Sequence, residues 1–140
     1  MAAETSEAGF NVPQDLLYTK NHEWVRVEDG TAVVGITDYA QNQLGDITYV
    51  ELPEEGDSFK REAVFGTVDS LKTVAELYAP LDGEVVEINA DLPNNAENVN
   101  EKPYDDGWVI KLEISNEAQL EELFPAAEYL KFISKLSKKK

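Results

Sequence analysis

Short β-type segments separated by turns occupy most of this sequence, and their number and length limit the folds that the chain can form. They are rich in β-branched and aromatic residues and fall at residues 24–27, 31–36, 47–52, 63–68, 74–78, 84–88 and 108–114. The first two flank an acidic turn that ends in Asp-Gly at residues 28–30, which is a hairpin signal. Strands this short and this frequent predict a small sandwich or barrel. A chain of 140 residues is long enough for one such domain with a hydrophobic core.

Helical signals appear in two places. Residues 38–41 resemble a capping box that opens a short helix, which Gly45 would end. Two apolar stripes at helical spacing follow residue 115: Leu120, Leu123 and Phe124, and then Ala126, Tyr129, Leu130 and Ile133. Pro125 separates the two stripes. We expect both C-terminal helices to pack against the sheets.

A weak internal repeat relates residues 45–50 to residues 83–88. Both segments have the order Gly, acid, β-former, β-former, any residue, β-former, at an offset of 83 − 45 = 38 residues. Two similar half-sheets packed face to face would explain it, although this pattern also arises by chance in β proteins.

One lysine, Lys72, lies between two of the predicted strands. Asp69 and Ser70 precede it and are residues that form turns by bonding their own backbone. The flexible stem of a lysine ends in an amine that can form an amide, so a lysine at a hairpin tip is suited to carrying a covalently attached group. An ordinary solvated lysine in a polar turn is the alternative.

Composition excludes several classes of function. The chain has 28 acidic and 12 basic residues and a net charge of −16, so it should repel nucleic acid. It has no cysteine, which excludes disulfides, thiolate metal sites and cysteine nucleophiles. Its apolar runs are too short to cross a membrane. The acidity itself fits three explanations: solubility, steering toward basic patches on enzymes, and adaptation to high salt.

Several sequence blocks, in one order, resemble a known family. They are YTKNHEWV at 18–25, VGITDYAQ at 34–41, LGDI at 44–47, VELP at 50–53, LYAPLDGEV at 77–85, VNEKPY at 99–104 and GW at 107–108. In these blocks the chain resembles the H-protein family of the glycine cleavage system over residues 17–130. The resemblance implies a mainly β fold, the lipoyl/biotinyl-type barrel-sandwich hybrid of two small antiparallel sheets with short peripheral and C-terminal helices.

The resemblance also implies a site of modification. Family members usually carry the lipoylation motif Glu-Ser-Val-Lys-Ala, and this chain has Asp69, Ser70, Leu71, Lys72 and Thr73 at those positions. Lys72 is therefore the expected N6-lipoyllysine, with lipoate as a covalently attached cofactor. The four flanking residues form the expected recognition motif for a lipoylating enzyme.

Members of this family are non-catalytic carriers. The resemblance implies that the lipoyl arm accepts an aminomethyl group from the pyridoxal-phosphate glycine decarboxylase and passes it to the tetrahydrofolate-dependent aminomethyltransferase. The flavin (FAD) enzyme dihydrolipoamide dehydrogenase would then reoxidise the arm. We expect a monomer in the cytoplasm, or in the mitochondrial matrix if the protein is eukaryotic and already processed. A lipoyl relay that donates lipoyl groups to other enzymes is the alternative.

The family holds its loaded arm in a surface cleft, which implies a set of cleft residues here. The matching positions are Asn21, Glu23, Tyr39 and Glu76. Members often have Ser, Glu, His and Asp there, so Tyr39 replaces an imidazole and Glu76 keeps the charge on a longer stem. Carboxylates suit an ammonium-bearing group, and we expect Glu23 and Glu76 to supply them. No metal site and no catalytic residue are expected.

Other classes of protein fit less well. Biotin carriers favour methionine beside the target lysine, whereas Leu71 and Thr73 flank Lys72. Lipoyl domains of 2-oxoacid dehydrogenases usually place Asp directly before the lysine. A hydrolase would need a nucleophile with a base, and the single histidine, His22, has no recognisable partner motif. We expect a flexible tail at residues 1–12, one lipoyl-carrier domain at residues 13–136 and a basic tail at residues 137–140.

Overall fold

The computed structural model describes residues 3–5 and 11–138, with side chains over residues 11–136. Its strands are β1 (Ala3–Thr5), β2 (Asn11–Pro13), β3 (Leu17–Tyr18), β4 (Glu23–Glu28), β5 (Thr31–Ile36), β6 (Ile47–Glu51), β7 (Ser58–Phe59), β8 (Val64–Ser70), β9 (Val74–Tyr78), β10 (Gly83–Ile88), β11 (Ile110–Ile114) and β12 (Phe124–Pro125). Its α-helices are α1 (Asp38–Leu44), α2 (Glu97–Glu101) and α3 (Ala126–Lys138). Leu92–Asn94 and Glu117–Glu122 form 3-10 helices.

Two antiparallel sheets make up the body of the domain. The larger has the strand order β12-β3-β4-β5-β11-β10-β7, and the smaller has the order β6-β8-β9. Strands β1 and β2 form a separate pair. Both sheets stay open, and short helices lie around them, which confirms the predicted fold class. The two copies of the weak repeat begin β6 and β10, so each copy contributes a strand to a different sheet.

The main hydrophobic core lies between the two sheets. Its buried side chains come from both, including Val25, Val34, Leu112, Val50, Val68 and Leu77. Alternate residues of a strand point to opposite faces, so β5 gives this core Ala32, Val34 and Ile36, whereas register shifts in β6 and β8 interrupt the alternation there. Because the two sheets share this core, the β8–β9 hairpin is held in position relative to the larger sheet.

The other face of the larger sheet carries a second apolar cluster, which α3 covers. Trp24 is fully buried there, and Tyr18 stacks on Tyr129 of α3 with ring centroids 4.6 Å apart. Trp24 pairs with Gly35 of β5, where a Cβ atom would lie 2.7 Å from the indole ring. Only glycine leaves room for the indole at that position. Trp108 is partly buried against this cluster.

Three local predictions were wrong. Helix α1 is capped by Thr37, whose hydroxyl accepts a hydrogen bond from the Ala40 amide, and not by Asp38, although Gly45 ends the helix as predicted. The first C-terminal stripe forms a 3-10 helix that stops at Glu122, because Leu123 is extended and Phe124 pairs with Tyr18.

The glycine-containing turn at residues 28–30, in contrast, is the predicted hairpin, with both Asp29 and Gly30 at positive φ.

The third wrong prediction concerns the turn that carries Lys72. Asp69 is paired with Val74, so β8 extends two residues beyond the predicted end and Asp69 is not a turn residue.

The division into residues 1–12, 13–136 and 137–140 stays a prediction, and residues 1–2, 6–10 and 139–140 lie outside the described part of the chain. Within the described part, no helix is long and apolar enough to cross a membrane.

Candidate functional site

Lys72 lies at the tip of the β8–β9 hairpin. The Ser70 amide donates to the Thr73 carbonyl at 2.8 Å and closes the turn. The Ser70 hydroxyl donates to the same carbonyl and accepts from the amides of Lys72 and Thr73, each at 3.2 Å. Ser70 thus bonds two amides and one carbonyl of the turn backbone. The predicted motif residue therefore has a structural role, which is to hold the backbone that presents Lys72.

The turn between α1 and β6 supports the hairpin tip. The Leu71 amide donates to the Asp46 carbonyl at 3.1 Å, and Lys72 Nζ donates to the Gln43 carbonyl at 3.1 Å. The last carbonyls of a helix carry partial negative charge and favour a cation. Gly45 has a φ of 81°, and a Cβ atom there would lie 3.0 Å from Lys72 Cε. The lysine stem therefore passes directly over the end of α1.

Asn100, in α2, fastens this turn. Its Nδ2 donates to the Gln41 side chain at 2.8 Å and to the Gly45 carbonyl at 2.9 Å. Its Oδ1 accepts from the Ile47 amide at 2.8 Å. One amide side chain thus joins the last turn of α1 to the start of β6. Gln43 and Gly45, which contact the side chain of Lys72, lie between these two points.

A groove of about 260 Å³ runs between α1 and the edge strand β9. Its apolar lining comes from Ile36, Ala40, Leu44, Val68, Ala75 and Leu77, and its polar lining comes from Asn21, His22, Tyr39, Gln43 and Glu76. Gln43, whose carbonyl binds Lys72 Nζ, is part of this wall. The groove therefore starts where the lysine stem ends, and a slim, mostly apolar chain attached to Nζ fits its character.

Three of the four predicted cleft residues, Asn21, Tyr39 and Glu76, line this groove. Glu23 instead lines an adjoining pocket of about 140 Å³, which also includes Asn21. Glu76 accepts a hydrogen bond from the Tyr78 hydroxyl at 3.0 Å, and this bond raises the pKa of Tyr78.

Glu23 is only 1% exposed, and both of its carboxyl oxygens are bonded. Thr19 Oγ1 donates to one at 2.6 Å, and the Tyr78 amide of β9 donates to the other at 3.1 Å. Burial raises the pKa of Glu23 to about 7, although these two bonds act in the opposite direction. Glu23 therefore fastens the groove-forming strand β9 to the larger sheet.

His22 forms part of the groove wall in a left-handed backbone conformation, with a φ of 71°. Its Nδ1 lies 2.8 Å from the hydroxyl of Tyr129, which is also 2.8 Å from Thr37 Oγ1. The imidazole packs against Tyr39 at a centroid distance of 4.8 Å. Burial lowers the pKa of His22 to about 4, which keeps the ring neutral at physiological pH. His22 therefore supports the aromatic wall that contains Tyr39.

Comparison with known proteins identifies the family of this chain. The sequence pattern of the family described as Glycine cleavage H-protein matches residues 16–136. The chain belongs to the glycine cleavage H-protein family. It is 57% identical over 124 residues to the glycine cleavage system H protein of Oceanobacillus iheyensis, covering 89% of this chain and 98% of that one. It is 52% identical over 122 residues to the H protein of Staphylococcus epidermidis, covering 87% and 97%.

A solved structure matches as well. The crystal structure of a glycine cleavage system H protein from Mycobacterium marinum superimposes with a TM-score of 0.78 at 35% identity, covering 84% of this chain and 95% of that one. These matches confirm the predicted family. H-proteins are non-catalytic carrier components of the glycine cleavage system, so membership also confirms the predicted carrier class.

Sequence reasoning missed Gln43 and Asn100, and it did not place His22 in the groove wall. Gln43 acts through its backbone carbonyl, which no side-chain pattern reveals. Asn100 lies in one of the sequence blocks that indicated the family, but its partners are more than 50 residues away in sequence. Gly45 was identified as a helix end, and its contact with Lys72 is visible only when the hairpin is folded over it.

Proposed function

We propose that this chain carries lipoate on Lys72 and serves as the lipoyl carrier of a glycine cleavage system. The observation that supports it most directly is the position of Lys72 Nζ, 3.1 Å from the Gln43 carbonyl, at the start of the groove between α1 and β9. When attached, lipoate supplies a dithiolane that can be reduced and can accept an aminomethyl group. The chain itself supplies the anchor, the groove and the charges around it.

Attachment of lipoate would change the chemistry at Nζ but keep its position. An amide nitrogen retains one N–H, which can still donate to the Gln43 carbonyl. The apolar groove lining would then cover the methylene groups of the arm, and each buried methylene is worth about 0.8 kcal/mol. The groove would shelter the arm from water between encounters with enzymes.

The polar residues of the groove suit an arm that ends in a cationic aminomethyl group. Glu76 brings a carboxylate to the groove, and Glu23 lies in the pocket next to it. A cation in this region would favour the ionised form of Glu23, whose pKa of about 7 leaves it partly protonated near neutral pH. The two carboxylates would hold the cation by charge and by hydrogen bonds.

The proposed partners follow from this role. The protein would take an aminomethyl group from glycine decarboxylase, deliver it to the aminomethyltransferase, and be reoxidised by dihydrolipoamide dehydrogenase. A lipoylating enzyme would attach the arm beforehand. We further propose that the protein acts as a monomer in the cytoplasm. Its net charge of −16 favours basic docking surfaces on these enzymes.

Glycine-dependent exchange of labelled bicarbonate tests this function. Lipoylated protein is mixed with glycine decarboxylase, and incorporation of label into glycine is measured. We expect exchange with the wild-type protein and none with the Lys72→Arg variant, since a guanidinium cannot take the acyl group. A lipoylated wild-type protein that supports no exchange, beside an H-protein from Oceanobacillus iheyensis that does, would contradict the proposal. Transfer of its lipoyl group to another apo-protein would then favour the relay function.

A further inference from the structure

The hydroxyl of Tyr129 connects two parts of the groove wall from behind. Tyr129 belongs to α3, is fully buried and does not itself line the groove. Its hydroxyl oxygen lies 2.8 Å from His22 Nδ1 and 2.8 Å from Thr37 Oγ1. His22 is part of the groove lining, and Thr37 caps α1, which supplies one side of the groove. A single hydroxyl therefore joins the C-terminal helix to both segments.

Burial of these hydroxyls fixes the order of their protons. Thr37 is 0% exposed, and its Oγ1 already accepts a hydrogen bond from the Ala40 amide. Among the described residues, the Tyr129 hydroxyl is the one group that can accept the Thr37 proton. Tyr129 must then donate its own proton to His22 Nδ1, because the reverse order would leave a buried donor unpaired. Nδ1 therefore carries a lone pair, and the imidazole proton lies on Nε2.

The backbone of His22 is also held, so the bond to Nδ1 decides only how the ring is oriented. The His22 amide donates to the Thr19 carbonyl at 3.1 Å, and its carbonyl accepts from the Thr37 amide at 2.9 Å. Burial lowers the pKa of His22 to about 4 and raises the pKa of Tyr129, so both groups stay neutral near pH 7. No hydrogen bond between described residues uses Nε2, which leaves its N–H as a donor in the groove wall.

We propose that Tyr129 is a positioning residue for the attached arm: it fixes His22 as the Nε2–H tautomer and holds the imidazole and the start of α1 in the places that shape the groove. This inference rests on the proposed function, because it takes the groove as the place where the arm lies. The Nε2–H donor suits an acceptor atom of the arm, which offers an amide oxygen and two sulfur atoms. Tyr129 does not touch the arm and acts through His22 and Thr37.

Nitrogen NMR of the imidazole tests the proton order on the unmodified protein. The chain has a single histidine, so its two ring nitrogens need no further assignment. We expect the wild-type protein to show a protonated Nε2 and an unprotonated Nδ1, without averaging. Tyr129→Phe, which keeps the ring, should move both shifts toward those of exchanging tautomers. The matched control is Tyr18→Phe, which removes an equally buried hydroxyl that donates to the Pro13 carbonyl, and it should leave both shifts unchanged.

Reactivity of the arm tests the positioning role. The lipoylated protein is reduced with a phosphine and treated with an aromatic disulfide reagent; the chain has no cysteine, so only the thiols of the arm react. We expect Tyr129→Phe to react about fivefold faster than the wild type, the factor that one hydrogen bond of ordinary strength represents. Tyr18→Phe should react at the wild-type rate. Denaturant unfolding should show that both variants lose stability, so a lower stability alone would not explain a difference between them.

Several results would overturn the inference. A wild-type spectrum with the proton on Nδ1, or with averaged shifts, would contradict the proton order, and this result does not depend on any variant. Equal arm reactivity in Tyr129→Phe and the wild type, or an equal increase in Tyr18→Phe, would show that the Tyr129 hydroxyl serves stability alone. Absence of a lipoyl group from Lys72 of the wild-type protein would instead overturn the proposed function, while the spectrum of His22 would stand. The two failures are therefore distinct.

Discussion

Replacement of Glu23 by glutamine should change the pH dependence of stability. Glu23 is buried between Thr19 and the Tyr78 amide, and its pKa is about 7 in the folded protein against an ordinary value of 4.5. The folded state therefore binds this proton more tightly than the unfolded state does. The resulting stabilisation is present in full below about pH 4.5 and is lost as pH rises to about 7. Glutamine stays neutral, so the variant should not show this loss.

The size of the effect follows from the two pKa values. An interval of 7 − 4.5 = 2.5 at 1.36 kcal/mol per pKa unit gives about 3 kcal/mol. Between pH 4 and pH 8, the free energy of unfolding of Glu23→Gln should rise by about this amount relative to the wild type. Glutamine keeps the bond from the Tyr78 amide through its carbonyl, but Thr19 Oγ1 already accepts from the amides of residues 21 and 23, so the bond to Thr19 is lost at every pH and its cost does not alter the pH dependence.

Denaturant unfolding at several pH values measures this difference. Other carboxyl groups titrate in both proteins, so their contributions cancel when the wild type is subtracted. The control is Glu84→Gln, which removes a carboxylate on the exposed surface of β10. A flat difference for Glu23→Gln would refute the argument that burial perturbs this carboxyl. A difference that falls with pH would mean that the charged form is the stabilised one.

Two further predictions concern the anchor and the groove. Gly45→Ala should raise the rate at which an amine-reactive ester labels Lys72, because the new Cβ would displace Lys72 Cε from its position 3.0 Å away. The control is Gly30→Ala, which is also at positive φ but has no atom within 4 Å of the new Cβ, so it should leave the labelling rate unchanged. An equal labelling rate in both variants would contradict the contact between the helix end and the lysine stem. Glu76→Gln should speed the loss of a loaded aminomethyl group severalfold, since a charge-assisted hydrogen bond is worth roughly 1.5–3 kcal/mol. The control Glu84→Gln should not change the rate of loss. Mass spectrometry of the adduct at successive times would measure both rates, and equal rates would show that Glu76 does not contact the group.

The fold class was predictable because short alternating strands and family sequence blocks are local signals. The hairpin turn at residues 28–30 and the end of α1 at Gly45 were predictable because both require positive φ, which glycine adopts readily. The spacing of Phe124 from Leu120 predicts a helix, but pairing with Tyr18 extends the chain there. Tertiary pairing overrides a short periodic signal of this kind.

The site was predictable only in part, for a physical reason. Asn21, Tyr39 and Glu76 come from distant segments, and the resemblance placed them in one cleft, which the groove lining agrees with. The separate pocket of Glu23 depends on its bond to the Tyr78 amide, 55 residues away. Backbone contacts such as that of the Gln43 carbonyl with Lys72 depend on how the hairpin folds over α1, and side-chain identity does not encode them.

We propose Lys72 as the attachment point of lipoate. Intact mass spectrometry of the wild-type protein and of Lys72→Arg, both produced with lipoate and a lipoylating enzyme available, is a direct test of this attachment. We expect a single lipoyl adduct on the wild-type protein, assigned to Lys72 by peptide mapping, and none on the variant, which should fold normally. An adduct on Lys60 or another lysine, or one retained in Lys72→Arg, would contradict the account.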